Sequence, residues 1–299
     1  MTGNAGARAG TVYDRGYRPY DGPRGGRRAA IGALFRATIR RALGFRRSWR
    51  QKLLPWMLLG IVTVPALVNV GIAYVTRDSQ FRTIQIVTYR EYVGVSSALL
   101  LFVALTAPDV LCPDRRQRFL SLIFARPLTG TDYALAKLAS IGSLVFAFAF
   151  LPQVVLFVGQ MLVSKNGAIH YVGENADVLW KVPLAVALLA LYYASLGLAL
   201  SSLTARRIVA GASILGLLLV SSTVAAILRS GSGTSPATEV VNLLALPIYV
   251  RDLVFLGHLH PRFRLSELAG GGLLAVVAYL VVVGVSLATL LWRYRWTEA

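Results

Sequence analysis

Six long apolar runs constrain the fold of this 299-residue chain more than any other feature. Each is close to the ~20 residues that an α-helix needs to cross the ~30 Å hydrocarbon core of a bilayer. Five contain no Asp, Glu, Lys or Arg, and the remaining one contains only Asp109, near its end. A charge at the centre of such a helix would cost ~2.5–3.5 kcal/mol. We therefore predict an all-α integral membrane protein with six transmembrane helices, at residues 53–75, 92–112, 138–163, 182–203, 208–228 and 269–292.

The distribution of basic residues orients these runs. With the N-terminus in the cytosol, 22 of the 31 lysines and arginines lie in the cytosolic segments, which are 1–52, 113–137, 204–207 and 293–299. The other nine lie in the outer segments, which are 76–91, 164–181 and 229–268. Cytosolic loops carry an excess of Lys and Arg, so we predict that both termini are cytosolic. The same bias accounts for the net charge of +18, and we expect a lipid bilayer and no nucleic acid as its partner.

Two segments precede the first span. Residues 1–26 are rich in Gly and Arg, lack helical periodicity and are predicted to be a cytosolic arm. Residues 27–52 are predicted to form an elbow helix in the membrane interface, with its arginines toward lipid phosphates. The alternative is a solvated basic leader that only fixes the topology. The apolar face of the helix consists of Ile31, Leu34, Phe35, Ile39 and Ala42, and the basic face of Arg36, Arg40 and Arg47.

The segment 113–137 is the longest polar loop on the predicted cytosolic side after the N-terminal one. We expect Pro113 to end the second span and Asp114 to cap a new short helix. The apolar face of that helix, with Phe119 and Leu122, is flanked by Arg115, Arg116 and Arg118, and Arg126-Pro127 follows it. A short helix with an apolar knob and a charged rim suits a groove on another protein. The alternative is an ordinary basic loop.

The remaining segments suggest little chemistry. Segment 236–268 begins apolar, is broken by Pro247 and is too short to span, so we expect an interfacial or re-entrant element on the outer face. Asn69, Gln153 and Gln160 could line a path through the spans or serve as helix contacts. Asp109 is the one ionisable group within the runs, whereas ion-coupled carriers usually need a buried acid, His or Lys.

No catalytic centre is evident, and we predict that the chain is not an enzyme. None of its four lysines follows a glycine, which excludes the Gly-Lys-Ser/Thr of a Walker A loop. If ATP drives the protein, a separate subunit must bind it. His258 and His260 lack an apparent third ligand, so we expect neither a metal nor any other cofactor on this chain.

The stretch from Ala107 to Lys137 resembles ABC-2-type (type V exporter-like) transporter permeases. The similarity lies in a charged segment, then Arg-Pro, then a Tyr and a Lys that enter the third span. Residues 13–14 and 17–24 also resemble a leader seen in some bacterial members. The resemblance extends over essentially the whole chain in topology. The matching residues are Asp114, Arg115, Arg126, Pro127, Tyr133 and Lys137.

The resemblance implies a permease subunit in the bacterial cytoplasmic membrane. It implies two permease copies, identical or not, and two separate nucleotide-binding subunits that bind ATP and Mg. Segment 113–137 would hold the coupling helix that docks on the ATPase. We therefore expect the membrane subunit of an ATP-driven exporter. The alternatives are a self-sufficient secondary carrier, a membrane-embedded lipid-modifying enzyme or a scaffold.

Overall fold

The computed structural model describes residues 25–44, 49–76, 88–93, 96–117, 123, 128–165, 167–231 and 234–295. These residues form helices and connecting turns, and no strand occurs among them. The α-helices, numbered α1 to α10 in chain order, are Arg27–Ala42, Trp49–Val75, Tyr89–Tyr92, Ser96–Arg116, Gly130–Val163, Ala168–Glu174, Val178–Leu203, Arg207–Ser230, Leu246–Leu256 and Gly271–Arg295. Two 3-10 helices flank α9, at Pro236–Val241 and Arg264–Glu267.

Five of these helices are long and apolar enough to cross a membrane: α2, α5, α7, α8 and α10. This supports a multi-pass, helical membrane protein. The predicted second span, 92–112, falls mostly within α4. That helix contains Asp109 and ends with Asp114, Arg115 and Arg116, so its charged residues distinguish it from the other five helices.

The helix α7 is the centre of the bundle. It contacts α3, α4, α5, α8, α9 and α10. Its buried residues include Tyr192, Tyr193, Ser195, Ser201 and Ser202. The three serine hydroxyls donate to backbone carbonyls of α7 itself, which satisfies them without an outside partner.

The two ends of the bundle differ in what they hold. We call the end where α4 ends and α5 and α8 begin the loop end. There an Arg115 Nη1–H donates to the carbonyl of Ser202, at the end of α7. The rings of Tyr133 in α5 and Tyr294 in α10 lie 5.0 Å apart at the same end. The opposite end, which we call the far end, holds α3, α6 and α9.

Proline did not end α4 as the sequence suggested. We expected Pro113 to terminate the second span and Asp114 to cap a separate helix, but α4 continues through both residues to Arg116. Similarly, α5 begins at Gly130 rather than near residue 138. At 1.5 Å per residue its 34 residues extend for about 51 Å, well beyond the hydrocarbon core. Much of the predicted polar loop is therefore helix.

Segment 236–268 is helical and packs into the bundle. The Tyr192 hydroxyl, near the middle of α7, donates to the carbonyl of Leu243 at 2.7 Å. The Lys181 ammonium, near the start of α7, donates to the carbonyl of Phe255 at 3.3 Å. The segment thus runs along α7 from its middle back to its far-end terminus, and its position as an interfacial or re-entrant element on the outer face stays a prediction.

Glycines allow α4 to approach its neighbours. A Cβ on Gly211 of α8 would lie 2.8 Å from the carbonyl oxygen of Ala104, and one on Gly197 of α7 would lie 2.8 Å from Val103. Small residues at such crossings let membrane helices pack backbone to backbone. The contact at Gly211 is with a backbone oxygen, which cannot move away by a change of rotamer as a side chain can.

We expect Gly211→Ala to lower the free energy of unfolding by about 1–3 kcal/mol, because the added methyl overpacks the α4–α8 contact. Gly216→Ala is the matched control, because a Cβ there meets nothing within 4 Å. It should be neutral or stabilising by up to about 1 kcal/mol. Thermal unfolding of both purified variants in detergent checks this, and equal midpoints would contradict the α4–α8 packing.

Candidate functional site: an ion cluster at the loop end

A buried carboxylate joins three helices at the loop end. Asp114, near the end of α4, is 4% exposed. One of its oxygens accepts from Arg41 of α1 at 2.6 Å. The other accepts from Lys137 of α5 at 2.7 Å and from the hydroxyl of Tyr133 at 2.9 Å. We refer to these four residues as the ion cluster.

The lysine of the ion cluster is buried more deeply than the acid. Lys137 is 2% exposed, and its ammonium also donates to the carbonyl of Val110 at 3.3 Å. A buried charge of this kind is tolerated only when it is paired and hydrogen-bonded. Asp114 supplies the opposite charge that keeps Lys137 inside the protein.

Asp114 lies just beyond the predicted second span. Burial by itself raises the pKa of its carboxyl, but the ammonium of Lys137 and then the guanidinium of Arg41 more than offset this effect. The net pKa lies below its ordinary value. Stabilisation from Asp114 is therefore present at neutral pH and is lost as the pH falls through that lowered pKa.

A second ion pair holds α1 along the start of α5. The guanidinium of Arg27 donates to both oxygens of Asp132, at 2.7 and 2.8 Å. Eight residues later in each helix, the hydroxyl of Ser140 lies 3.4 Å from the carbonyl of Phe35. The contacts advance in the same direction along both helices, so α1 runs beside the first turns of α5.

Asp132 also helps to cap the N-terminus of α5. Its side chain accepts from the backbone N–H of Thr129, while the hydroxyl of Thr129 accepts from the N–H of Asp132. This reciprocal pair is a capping box. The spacing from Thr129 to Asp132 is a sequence signal for a helix start here, whereas the predicted span began only at residue 138.

The predicted docking residues divide into two groups in the structure. Asp114 and Arg115 make contacts inside the chain. Asp114 belongs to the ion cluster, and Arg115 donates a hydrogen bond to the carbonyl of Ser202. Arg116 is exposed at the end of α4. The other predicted docking residues lie outside the described residues: Arg118, Phe119, Leu122, Arg126 and Pro127.

The predicted elbow helix forms α1, which ends at Ala42 rather than near residue 52. Arg36 and Arg40 are exposed, whereas Phe35 and Ile39 are partly buried. Ile39 and Leu34 pack against the core of the bundle, so the apolar face is turned at least in part toward protein. Arg47 and the arm residues 1–24 lie outside the described residues. The position of α1 in a membrane interface stays a prediction.

The three amide residues that could line a path make contacts between helices. The amide of Gln160 donates to the side-chain oxygen of Asn69 at 2.8 Å, which links α5 to α2. The amide of Gln153 donates to the carbonyl of Tyr89 at 3.3 Å, which links α5 to α3. These contacts fit the helix-packing alternative.

A buried ion pair at the far end was not foreseen. Arg251 and Asp252 are neighbours in α9, and both are buried. Nε and Nη2 of the arginine donate to Oδ1 of Asp252 at 3.0 and 2.6 Å, and Nη1 donates to the carbonyl of Val93 at 2.7 Å. Two adjacent charges within an otherwise apolar Leu246–Leu256 were the available signal. Arg251 and Asp252 lie outside the six predicted runs, so Asp109 stays the one acidic or basic residue within those runs.

Among the described residues, no three His, Cys, Asp or Glu side chains lie together as metal ligands. Asp109 pairs with Arg207 at 2.5 Å near the start of α8. The ionisable groups described at the loop end thus link neighbouring helices. No protein-family model matches the sequence, and no curated protein matches it.

Proposed function

We propose that this chain is the transmembrane permease subunit of an ATP-driven exporter of the ABC-2 type, in a bacterial cytoplasmic membrane. Two permease subunits would form the pathway between them. A separate nucleotide-binding subunit would hold ATP and Mg and would dock at the loop end. The proposed topology has residues 92–112, which lie mostly within α4, as a sixth span, and both termini in the cytosol.

The ion cluster is the observation that supports this proposal best. Asp114 and Lys137 lie at the two borders of the predicted coupling segment, and their contact joins α4 directly to α5. Arg41 adds α1 to the same carboxylate. A displacement of the coupling segment by a closing ATPase would therefore move α1, α4 and α5 together. Such coupling suits a subunit that receives its energy from outside.

Among the described docking residues, Arg116 is the one that can contact a partner without first breaking an internal bond. Arg115 is bonded to Ser202, and Asp114 belongs to the ion cluster. A change at Arg115 would therefore mix a docking effect with a packing effect. A test of docking is cleaner at Arg116.

Charge reversal by Arg116→Glu is expected to weaken ATPase binding about tenfold or more, because like charges facing each other across an interface cost several kcal/mol. The measurement is the stimulation of ATP hydrolysis when the purified ATPase is titrated with the permease in nanodiscs. Arg295→Glu, at an exposed position at the end of α10, is the matched control and should titrate like the wild type. Identical titration curves for all three proteins would contradict docking at Arg116.

A proton-coupled carrier is the second candidate, and Asp252 is the reason. This residue is fully buried, and its Oδ2 has no hydrogen-bond partner among the described residues. Carriers use acids in such surroundings. The carrier ranks second because Arg251 already neutralises Asp252 and donates two hydrogen bonds to its carboxylate. Substrate uptake by proteoliposomes that hold this chain and a pH gradient, without ATP, would favour it over the exporter.

A further inference from the structure

A basic groove opens at the loop end between the end of α4 and the start of α8. Its volume is about 1020 Å³. Arg116 and Gln117 line it on one side, and Arg206 and Arg207 on the other. The residues next to these arginines are Ile208 and Val209, which also line the groove. It thus combines cationic and apolar surfaces.

Two positive charges in this groove have no carboxylate partner among the described residues. Arg207 pairs with Asp109 at 2.5 Å. Arg116 and Arg206 are both exposed, and neither has an ion pair with a carboxylate of the described residues. Two unpaired guanidiniums in one groove favour an anion, and their planar N–H groups suit phosphate oxygens.

The apolar part of the groove continues along the membrane-facing side of α8. Ile208 is 87% exposed and Val209 is 46% exposed, directly beside the arginines. Only a narrow stripe of α8 is buried, made of Ala210, Ile214, Leu218, Ser221 and Ala225. Since α8 is long and apolar enough to cross the membrane, the rest of its surface is available to acyl chains.

We propose that this groove binds the headgroup of an anionic phospholipid from the leaflet in which α8 begins. The phosphate lies between Arg116 and Arg206, and one acyl chain passes over Ile208 and follows the exposed face of α8. A free phosphate ion would contact the arginines but would make no apolar contact with Ile208. An acidic protein segment would make no contact with the exposed apolar face of α8. The proposal depends on a membrane-spanning chain and not on an ATPase partner.

The test uses the full-length chain alone in detergent, titrated with phosphatidylglycerol, phosphatidylcholine or inorganic phosphate while the thermal midpoint is recorded. A ligand that binds the folded state raises this midpoint with concentration. We expect phosphatidylglycerol to raise it, and the other two to have little effect. Native mass spectrometry should show retained phosphatidylglycerol molecules in parallel.

The variant Arg116→Gln/Arg206→Gln should raise the apparent Kd for phosphatidylglycerol about 10- to 30-fold, from the loss of two basic contacts at a membrane surface. Arg293→Gln/Arg295→Gln removes two exposed arginines from the end of α10 and should bind like the wild type. Equal shifts by phosphatidylglycerol and phosphatidylcholine would overturn the proposal, as would an equal shift by inorganic phosphate. If Arg116→Gln/Arg206→Gln binds phosphatidylglycerol like the wild type but no longer stimulates the ATPase, the proposal is overturned and the groove belongs to a protein partner.

Discussion

Replacing Asp114 with leucine is expected to lower the free energy of unfolding by about 3–5 kcal/mol, because it leaves the ammonium of Lys137 buried without an opposite charge. Lys137 would retain the carbonyl of Val110 at 3.3 Å, which is too little to compensate. Arg41 would lose its partner as well, but its side chain is 28% exposed and can reach water. Denaturation in mixed SDS micelles measures the loss.

The double variant Asp114→Leu/Lys137→Met should recover most of this loss, since two apolar side chains of similar size can replace a buried ion pair at little cost. Asp177→Asn is the control for removal of an acid from a surface pair with a lysine, because Asp177 and Lys181 lie at an exposed site. It should cost no more than about 1 kcal/mol. A double variant as unstable as Asp114→Leu would show that Lys137 is not held by Asp114.

At the far end, Arg251→Met in the wild-type background is expected to lower the free energy of unfolding by about 3–5 kcal/mol. The change removes two hydrogen bonds to the buried carboxylate of Asp252 and one hydrogen bond to the carbonyl of Val93. The same denaturation assay applies. Arg262→Met, at an exposed arginine in the following turn, is the control and should cost less than about 1 kcal/mol.

Removal of both far-end charges separates two explanations of this loss. In Arg251→Met/Asp252→Leu the buried acid is gone, so stability should return toward that of the wild type. If the double variant is instead no more stable than Arg251→Met, the bond from Arg251 to Val93 would account for the loss. The pair would then matter for joining α9 to the residues before α4, and not for neutralising Asp252.

The apolar runs predicted the helices well because insertion depends on local composition. Four of the five helices able to cross a membrane contain a whole predicted run, and α10 contains all but the first two residues of its run. The end of α4 was predicted wrongly, because a proline in a membrane helix removes one backbone bond without necessarily stopping the helix. The start of α5 was missed although Thr129 and Asp132 carry a capping signal in the sequence.

The contacts of the ion cluster could not be predicted from the sequence. Asp114 and Lys137 are 23 residues apart, and their meeting depends on how α4 and α5 rotate against each other. Arg41 was one of many arginines in a basic segment, and nothing local marks it as the partner of Asp114. The far-end pair was visible as two adjacent charges, but its burial depends on packing against α3 and α7.

The most direct test of the proposed function is affinity purification of the tagged full-length chain from its native membrane under mild detergent. We expect a soluble ATPase with Walker motifs to copurify in equal amount, and its ATP hydrolysis to be stimulated by the permease. Recovery of the chain without any such ATPase, together with transport by proteoliposomes driven by an ion gradient alone, would contradict it.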